Sequence, residues 1–429
     1  MIKTGKAPIS LMTYLAIMSV CFVINLPGIA IAPIEGRLKD IIHAGELEVQ
    51  LLTTLPNFVI IPFILLTGKL SQCRHKLPWI IMALLLYLAT AIGYLFADSI
   101  TWLIIISCLL GCANGILIPF AMGFVVNTFY GKYRTRQLGM KSGISNLAVV
   151  FGSFLVGFLI ETDNWHLPFI VYLAVILPLA FCYWLKYVPG LSAKEFDKEK
   201  ETLSSNIEKD ITHCIDDIHS SLKDINMKRV WALICNNVCF SFLAMAVIIY
   251  LPQMIQTYGW DPSISGEVAA VFFIFVLLAG FVLLPLVRFF RHYTFFGIGI
   301  FLLSGLAFIT FIHREWAMFV GASLCGIAFG IFQPFVYDKT SYTVTNPKKN
   351  ILALSFVLTA LYAAIALEPF IITGICKLFK VEDENFFALR FSFFAAIGYA
   401  VVAFFFKEEF AFSVEPAYIE EPDSALSTK

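Results

Sequence analysis

The sequence predicts an all-α polytopic membrane protein, with twelve spanning helices arranged in two pseudo-symmetric bundles of six. Three observations carry this expectation. Hydrophobic residues make up 59% of the chain and charged residues only 14%, with a mean hydropathy of +0.83, whereas soluble domains are about 45–50% apolar and about 25% charged. The apolar residues fall in runs close to the roughly 20 residues that cross a hydrocarbon core. The segment GCANGILIPF, Gly111–Phe120, returns as GIAFGIFQPF, Gly326–Phe335, with both glycines, the proline and the phenylalanine in register.

Taken in order, the first six runs are Leu11–Ala32, Leu47–Thr67, Pro78–Phe96, Trp102–Val125, Gly139–Ile160 and Leu167–Val188. The second six are Val230–Ile255, Ile264–Val287, Tyr293–Ile312, Glu315–Tyr337, Asn350–Ile375 and Phe386–Phe406. The first run follows Lys3 and Lys6 and ends GIAIAP, which mimics a cleavable signal. Its length and the proline after the would-be cleavage point favour a spanning helix instead. The expected domains are 1–188, a linker 189–229, 230–407 and a polar, disordered tail 408–429.

Orientation follows from the basic residues of the short connections. One face collects Lys69, Arg74, Lys76, Lys132, Arg134, Arg136, Lys141, Arg288, Arg291, Lys339, Lys348 and Lys349. The other has Arg37, Lys39, Arg314, Lys377 and Lys380. The positive-inside rule makes the first face cytoplasmic, with both termini inside. In the linker, Ile207, Ile211, Ile215, Ile218, Leu222 and Ile225 recur at helical spacing behind a capping-box-like Ser205-x-x-Glu208, so an amphipathic cytoplasmic helix is expected.

Charge excludes some classes. Thirty basic residues balance thirty acidic ones, so no excess of positive charge points to nucleic acid. The ten cysteines lie mostly inside apolar runs, and pairs such as Cys108/Cys112 and Cys235/Cys239 read as small buried hydrophobes rather than ligands of a metal. Only Cys376 is placed on the outer side, so no disulfide framework is implied. There is no G-x-x-x-x-G-K-[ST] loop and no H-E-x-x-H pair, and no nucleophile–acid–base cluster that would make an enzyme. No cofactor is expected.

Between the second and third runs stands GKLSQCRHK, Gly68–Lys76. The fourth run carries Gly111, Gly115 and Pro119, a basic loop ends Arg136-Gln137-Leu138-Gly139, and Asn164-Trp165-His166-Leu167-Pro168-Phe169 opens the sixth. On these residues, the two six-helix halves and the long central linker, the sequence resembles the major facilitator superfamily over almost its whole length. The resemblance implies that fold and secondary transport by a monomer. It places Gly68, Gln72, Arg74, Lys76, Arg134 and Arg136 at a cytoplasmic gate. Gln72 stands where the family has an aspartate, Cys73 where it has an arginine and His75 where it has a glycine, which implies a weaker gate. Ser107 stands where many proton-coupled antiporters have an arginine, and Gly152-Ser153 replaces their Gly-Pro pair.

Glu368 is a lone carboxylate in the eleventh run, followed by Pro369, which removes an amide and disturbs the bond to the Ile365 carbonyl, so a local break of the helix and a polar pocket beside the carboxylate are expected. A charge at membrane depth costs about 2.5–3.5 kcal/mol on insertion scales and marks function by default. Arg390 enters the twelfth run from the same side. The two form a buried ion pair, or Glu368 carries protons or reads substrate charge, or it lies in an outward cavity without a direct role; an adjacent guanidinium favours the ionised carboxyl and burial alone disfavours it. Glu35, just past Pro33, is a second proton candidate, and a surface pair with Arg37 is its favoured alternative. The runs that line the central route in the family carry Asn25, Asn114, Asn236, Asn237, Gln333 and Tyr337, candidate substrate ligands whose alternative role is bonding between helices. Phe332, Phe335 and Tyr250, the last near Gln253, are candidate aromatic walls. The glycines of the repeat are expected to serve close packing. No histidine sits at mid-membrane.

The expected activity is alternating-access transport of a small organic solute in an inner membrane, with proton-coupled efflux of apolar or amphipathic compounds preferred. Uptake of a small anionic metabolite through Arg390, and a non-transporting sensor on the same scaffold, are the alternatives.

Overall fold

Burial patterns, proline positions and glycine contacts set the helix boundaries. The computed structural model describes residues 2–5, 8–27, 30–31, 46–72, 76–160, 164–189, 224–261, 263–346, 349–380 and 384–406. The helices are α1 (Leu11–Val23), α2 (Glu46–Leu70), α3 (Leu77–Tyr94), α4 (Ile100–Thr128), α5 (Lys132–Ile160), α6 (residues 167–185), α7 (Met227–Thr257), α8 (Ser263–Phe290), α9 (Thr294–Phe311), α10 (Glu315–Ser341), α11 (Asn350–Phe379) and α12 (Glu384–Phe405). Among the described residues, eight apolar stretches are long enough to span, one of them (Ile264–Phe311) running through both α8 and α9, and three shorter apolar helices complete the set. Large side chains such as Phe289 and Phe96, 79% and 77% exposed, decorate the outside. Lipid is the solvent in which such a surface is stable. Cys235 and Cys239 also lie on the exposed face of α7, not buried as expected, because the four-residue spacing puts both on one side, opposite the buried Asn237.

Contacts divide the chain into two compact units. The first is Met1–Thr128, Gly152–Leu233 and Thr340–Thr359. Ser10 caps α1, its hydroxyl accepting from Thr13 N at 3.1 Å. The helix stops at Val23, well short of the expected Ala32, because Pro27 has no amide to give the Val23 carbonyl. Leu26 N, at 3.2 Å, supplies a tighter bond to that carbonyl. In α4, a Cβ on Gly111 would lie 2.8 Å from the Pro56 carbonyl oxygen, and one on Gly115 2.8 Å from that of Ile60. Bare backbone therefore lets α4 sit directly on α2. The sixth span is irregular: Leu167–Val175 is a 3₁₀ helix, followed by short α pieces interrupted at Phe181. Pro168 and Pro178 remove amides there, and Phe169 stacks on Tyr94 at 4.6 Å.

The second unit is Phe129–Phe151, Ile234–Lys339 and Ala360–Lys429. It repeats the glycine device: a Cβ on Gly326 of α10 would lie 2.4 Å from the Phe272 carbonyl oxygen of α8, and one on Gly330 2.6 Å from that of Val276. The sequence repeat is thus a packing repeat, α4 on α2 and α10 on α8. Gly139 of α5 and Gly280 of α8 also meet backbone to backbone; a Cβ on Gly139 would fall 2.3 Å from the Gly280 oxygen. Two expectations need correction. The basic segment before Gly139 is helical, α5 beginning at Lys132. Pro369 does not break α11, which runs continuously from Asn350 to Phe379; a proline interrupts one bond and the flanking turns hold. Glu35, Arg37, Lys39, Cys73, Arg74, His75 and Lys348, the linker helix at 190–223, the tail from 407 and the side chain of Gln253 lie outside the described residues.

Candidate functional site

In the first unit the polar centre forms where α1 ends. Ending a helix leaves carbonyls without amide donors. Asn114, buried in α4, donates from Nδ2 to the Ile24 carbonyl at 3.0 Å, and Tyr87 Oη reaches the Val23 carbonyl at 3.5 Å. The Asn114 Oδ1 is buried and finds no partner among the described residues. Asn25 sits half-buried in the turn beyond α1. One face of Asn114 is therefore structural, and its acceptor is unused.

The second unit holds a denser amide cluster. Gln333 of α10 donates from Nε2 to Asn237 Oδ1 at 3.3 Å and Ser241 Oγ at 3.2 Å, and Ser241 donates to Asn237 Oδ1 at 3.2 Å. Asn236, the next residue on α7, accepts from Tyr399 Oη of α12 at 2.9 Å. Gln333 Oε1 and Asn236 Nδ2 remain buried without a partner among the described residues. The candidate walls Phe332 and Phe335 are fully buried: Phe332 stacks on Phe240 at 3.8 Å, and Phe295 meets Phe335 at 5.1 Å. Tyr337 and Tyr250 are buried as well. Ser241 and Tyr399, polar residues on the inward faces of α7 and α12, were not singled out from sequence; their period behind Asn237 and in α12 was the available signal.

Glu368 in α11 is fully buried, and neither carboxylate oxygen finds a hydrogen-bond partner among the described residues. Its neighbours Leu367 and Phe370 are exposed, so the helix turns its one acid inward and its apolar face out. The ion pair with Arg390 is not formed. Arg390 is exposed on α12, where its charge acts on Tyr258 beyond the end of α7. Burial raises the Tyr258 hydroxyl above its ordinary pKa and the Arg390 charge opposes that rise.

The gate candidates separate. Arg134, at the start of α5, is buried against Asp338 of α10, Nε to Oδ1 2.7 Å, with Thr135 Oγ1 donating to Asp338 Oδ2 at 3.0 Å. Asp338 is fully buried. It escaped the sequence reading because it lies at the end of a run beside Lys339 and looks like a surface pair. A buried pair of this kind is costly to open on one side only, about 3–5 kcal/mol when a single partner is lost. Arg136 is exposed, Gln72 half-buried and Lys76 buried ahead of α3. A Cβ on Gly68 would touch Leu352 and Ser355 of α11 at 3.0 Å.

Apolar helices long enough to span, buried amide clusters and, among the described residues, a buried acid without a hydrogen-bond partner describe a polytopic helical membrane protein with polar groups in its interior. Comparison with known proteins specifies the class. The sequence profile of the Major Facilitator Superfamily matches residues 13–369. The chain belongs to that superfamily. Over 151 residues it is 28% identical to the multidrug transporter protein MdtP of Bacillus subtilis (strain 168), an alignment covering 35% of this chain and 27% of that protein. The match thus spans about a quarter of the length of that relative. Two solved structures share the fold. The proton:xylose symporter XylE, bound to 6-bromo-6-deoxy-D-glucose, superposes with a TM-score of 0.61 at 14% identity, over 94% of this chain and 98% of that one. The human organic anion transporter MFSD10 (TETRAN) gives a TM-score of 0.67 at 12% identity, over 92% and 98%.

Proposed function

We propose that this chain is a secondary active transporter that exports apolar or amphipathic compounds from an inner membrane by alternating access, with proton exchange at Glu368. The observation that carries the reading is the burial of Glu368 with neither carboxylate oxygen paired among the described residues. An ionised carboxylate in an apolar surround is strongly unfavourable, whereas a neutral one is tolerable. A cycle that alternately shields and wets this residue therefore gains and loses a proton each turn. Each unit holds an unused amide atom that can bond a neutral solute group, Asn114 Oδ1 in the first, near Asn25, and Gln333 Oε1 and Asn236 Nδ2 in the second, where Asn237 and Tyr337 are further candidates. The Bacillus subtilis relative is named a multidrug transporter, which is in keeping with a drug-like amphipathic solute.

The basic face is cytoplasmic in this account, and the domains are 1–188 and 230–407. Closure on that face rests on Arg134 and Asp338. Opening releases a buried ion pair to water, so the pair acts as a latch rather than a permanent strut. The test uses purified protein in liposomes and a fluorescent amphipathic cation, ethidium. Wild-type protein accumulates ethidium when a pH gradient is imposed. Glu368→Gln still exchanges ethidium between equilibrated compartments and no longer responds to the gradient. Gradient-driven accumulation by Glu368→Gln at the wild-type rate removes Glu368 from the mechanism.

A further inference from the structure

The end of the linker is tied to the start of α11. Asp224, Ile225 and Asn226 run antiparallel to Thr343, Val344 and Thr345, with Ile225 and Val344 forming a β-bridge. Asn226 N donates to the Thr343 carbonyl at 2.9 Å, and Thr345 N donates to the Asp224 carbonyl at 3.0 Å. Thr345 Oγ1 adds a second donor to that carbonyl at 3.3 Å. Lys349 Nζ lies 2.9 Å from Asp224 Oδ2, its side chain only 14% exposed. Asn226 then accepts from Arg229 N at 3.3 Å and so starts α7. All of these contacts lie within the first unit.

The repeat makes this strap informative. Lys349 occupies the position in the second half that Arg134 occupies in the first, about 215 residues earlier. Arg134 closes on an acid of α10, Asp338, 2.7 Å away. Its repeat mate, Lys349, closes on an acid of the linker. At the same end of α11, Ile351 sits so close to Gly123 that a Cβ there would lie 2.4 Å from Ile351 Cγ1, and Leu352 and Ser355 press on Gly68. Asn350 Nδ2 donates to Asn127 Oδ1 at 3.1 Å. The start of α11 is thus seated on α2 and α4 by glycine contacts, and the residue holding its first turn comes from the linker.

We propose that Asp224 is a gating residue supplied by the linker: by holding Lys349 it keeps α11 seated on α2 and α4, the counterpart in the first unit of the Arg134–Asp338 latch in the second. This rests on the transporter reading. Asp224 is then a working part of the closure. The pair is partly exposed, so its effect is a bias on an equilibrium rather than an absolute lock.

The experiment uses the full chain, purified in detergent so that both faces are accessible, with Ser355→Cys as the one reactive thiol in a cysteine-free background. Ser355 is fully buried against Gly68, so a maleimide reaches the thiol only when α11 lifts from α2. Asp224→Asn raises the labelling rate about threefold, the scale of a half-exposed ion pair. Asp224→Glu restores the parent rate, as does the swap of Asp224→Lys with Lys349→Asp. An unchanged rate in Asp224→Asn, or failure of both restorations, overturns the proposal. Ethidium flux by the parent protein in liposomes separates the two levels. Flux without an Asp224 effect refutes the strap alone; an Asp224 effect in a protein that moves no solute supports the strap and refutes the transporter reading.

Discussion

Replacing Glu368 by leucine should make the protein more stable while uncoupling it. The carboxyl is fully buried and neither oxygen has a partner among the described residues. Each unsatisfied buried polar group costs about 1–3 kcal/mol, even when uncharged. Leucine is nearly isosteric, leaves no orphaned polar atom and suits a helix whose neighbours Ile365 and Ile372 are apolar. The expected gain is therefore about 1–3 kcal/mol of stability, read as a rise in the thermal unfolding midpoint in detergent at neutral pH. Glu368→Gln keeps a polar head and should change the midpoint little. Both variants should lose gradient-driven ethidium accumulation. A midpoint that falls in Glu368→Leu would mean that the carboxyl holds the fold together through a partner, and the reasoning above would fail.

Other outcomes follow from the same contacts. Arg134→Ala leaves Asp338 buried and unpaired, so it should destabilise the protein by about 3–5 kcal/mol, whereas Arg134→Met combined with Asp338→Leu should recover most of that loss, as thermal midpoints in one detergent will show. Asn114→Leu removes the donor to the Ile24 carbonyl at the break in α1 and should cost about 1–3 kcal/mol; faster proteolysis near residues 24–27 is the readout. Gly326→Ala forces a Cβ to 2.4 Å from a backbone oxygen and should sharply reduce folded yield, while Gly398→Ala, with nothing within 4 Å, should be silent by size-exclusion profile. Gln333→Ala should weaken ethidium binding, measured by fluorescence titration, without changing the response of flux to the pH gradient.

The helices were legible because lipid imposes one requirement on every span, a run of apolar residues with its backbone bonds satisfied internally. The repeat was legible because Gly111, Gly115, Gly326 and Gly330 each press on a facing carbonyl, and no larger residue fits. The ends were harder. Hydropathy placed the start of the fifth helix at Gly139, but Lys132–Gln137 continues the helix outward with charges that span scales penalise. The stop at Val23 was written in Pro27, yet the apolar residues beyond it concealed the break. Within the site, Glu368 stood out as a single acid, whereas its lack of a partner depends on where Arg390 points, and sequence depth alone placed the two together. Asp338 and Asp224 were missed for a related reason. Each lies beside a lysine in the chain, and its true partner is far away in sequence.

The central claim is that Glu368 carries the proton that drives solute movement, and proton flux measures it most directly. Liposomes containing the protein and the trapped pH indicator pyranine, with equal pH on both sides, receive a pulse of ethidium. A lumenal pH change is expected to follow ethidium entry in wild-type protein and to disappear in Glu368→Gln while ethidium still crosses. Ethidium movement with no proton signal in the wild type, or the same signal in both proteins, would contradict it.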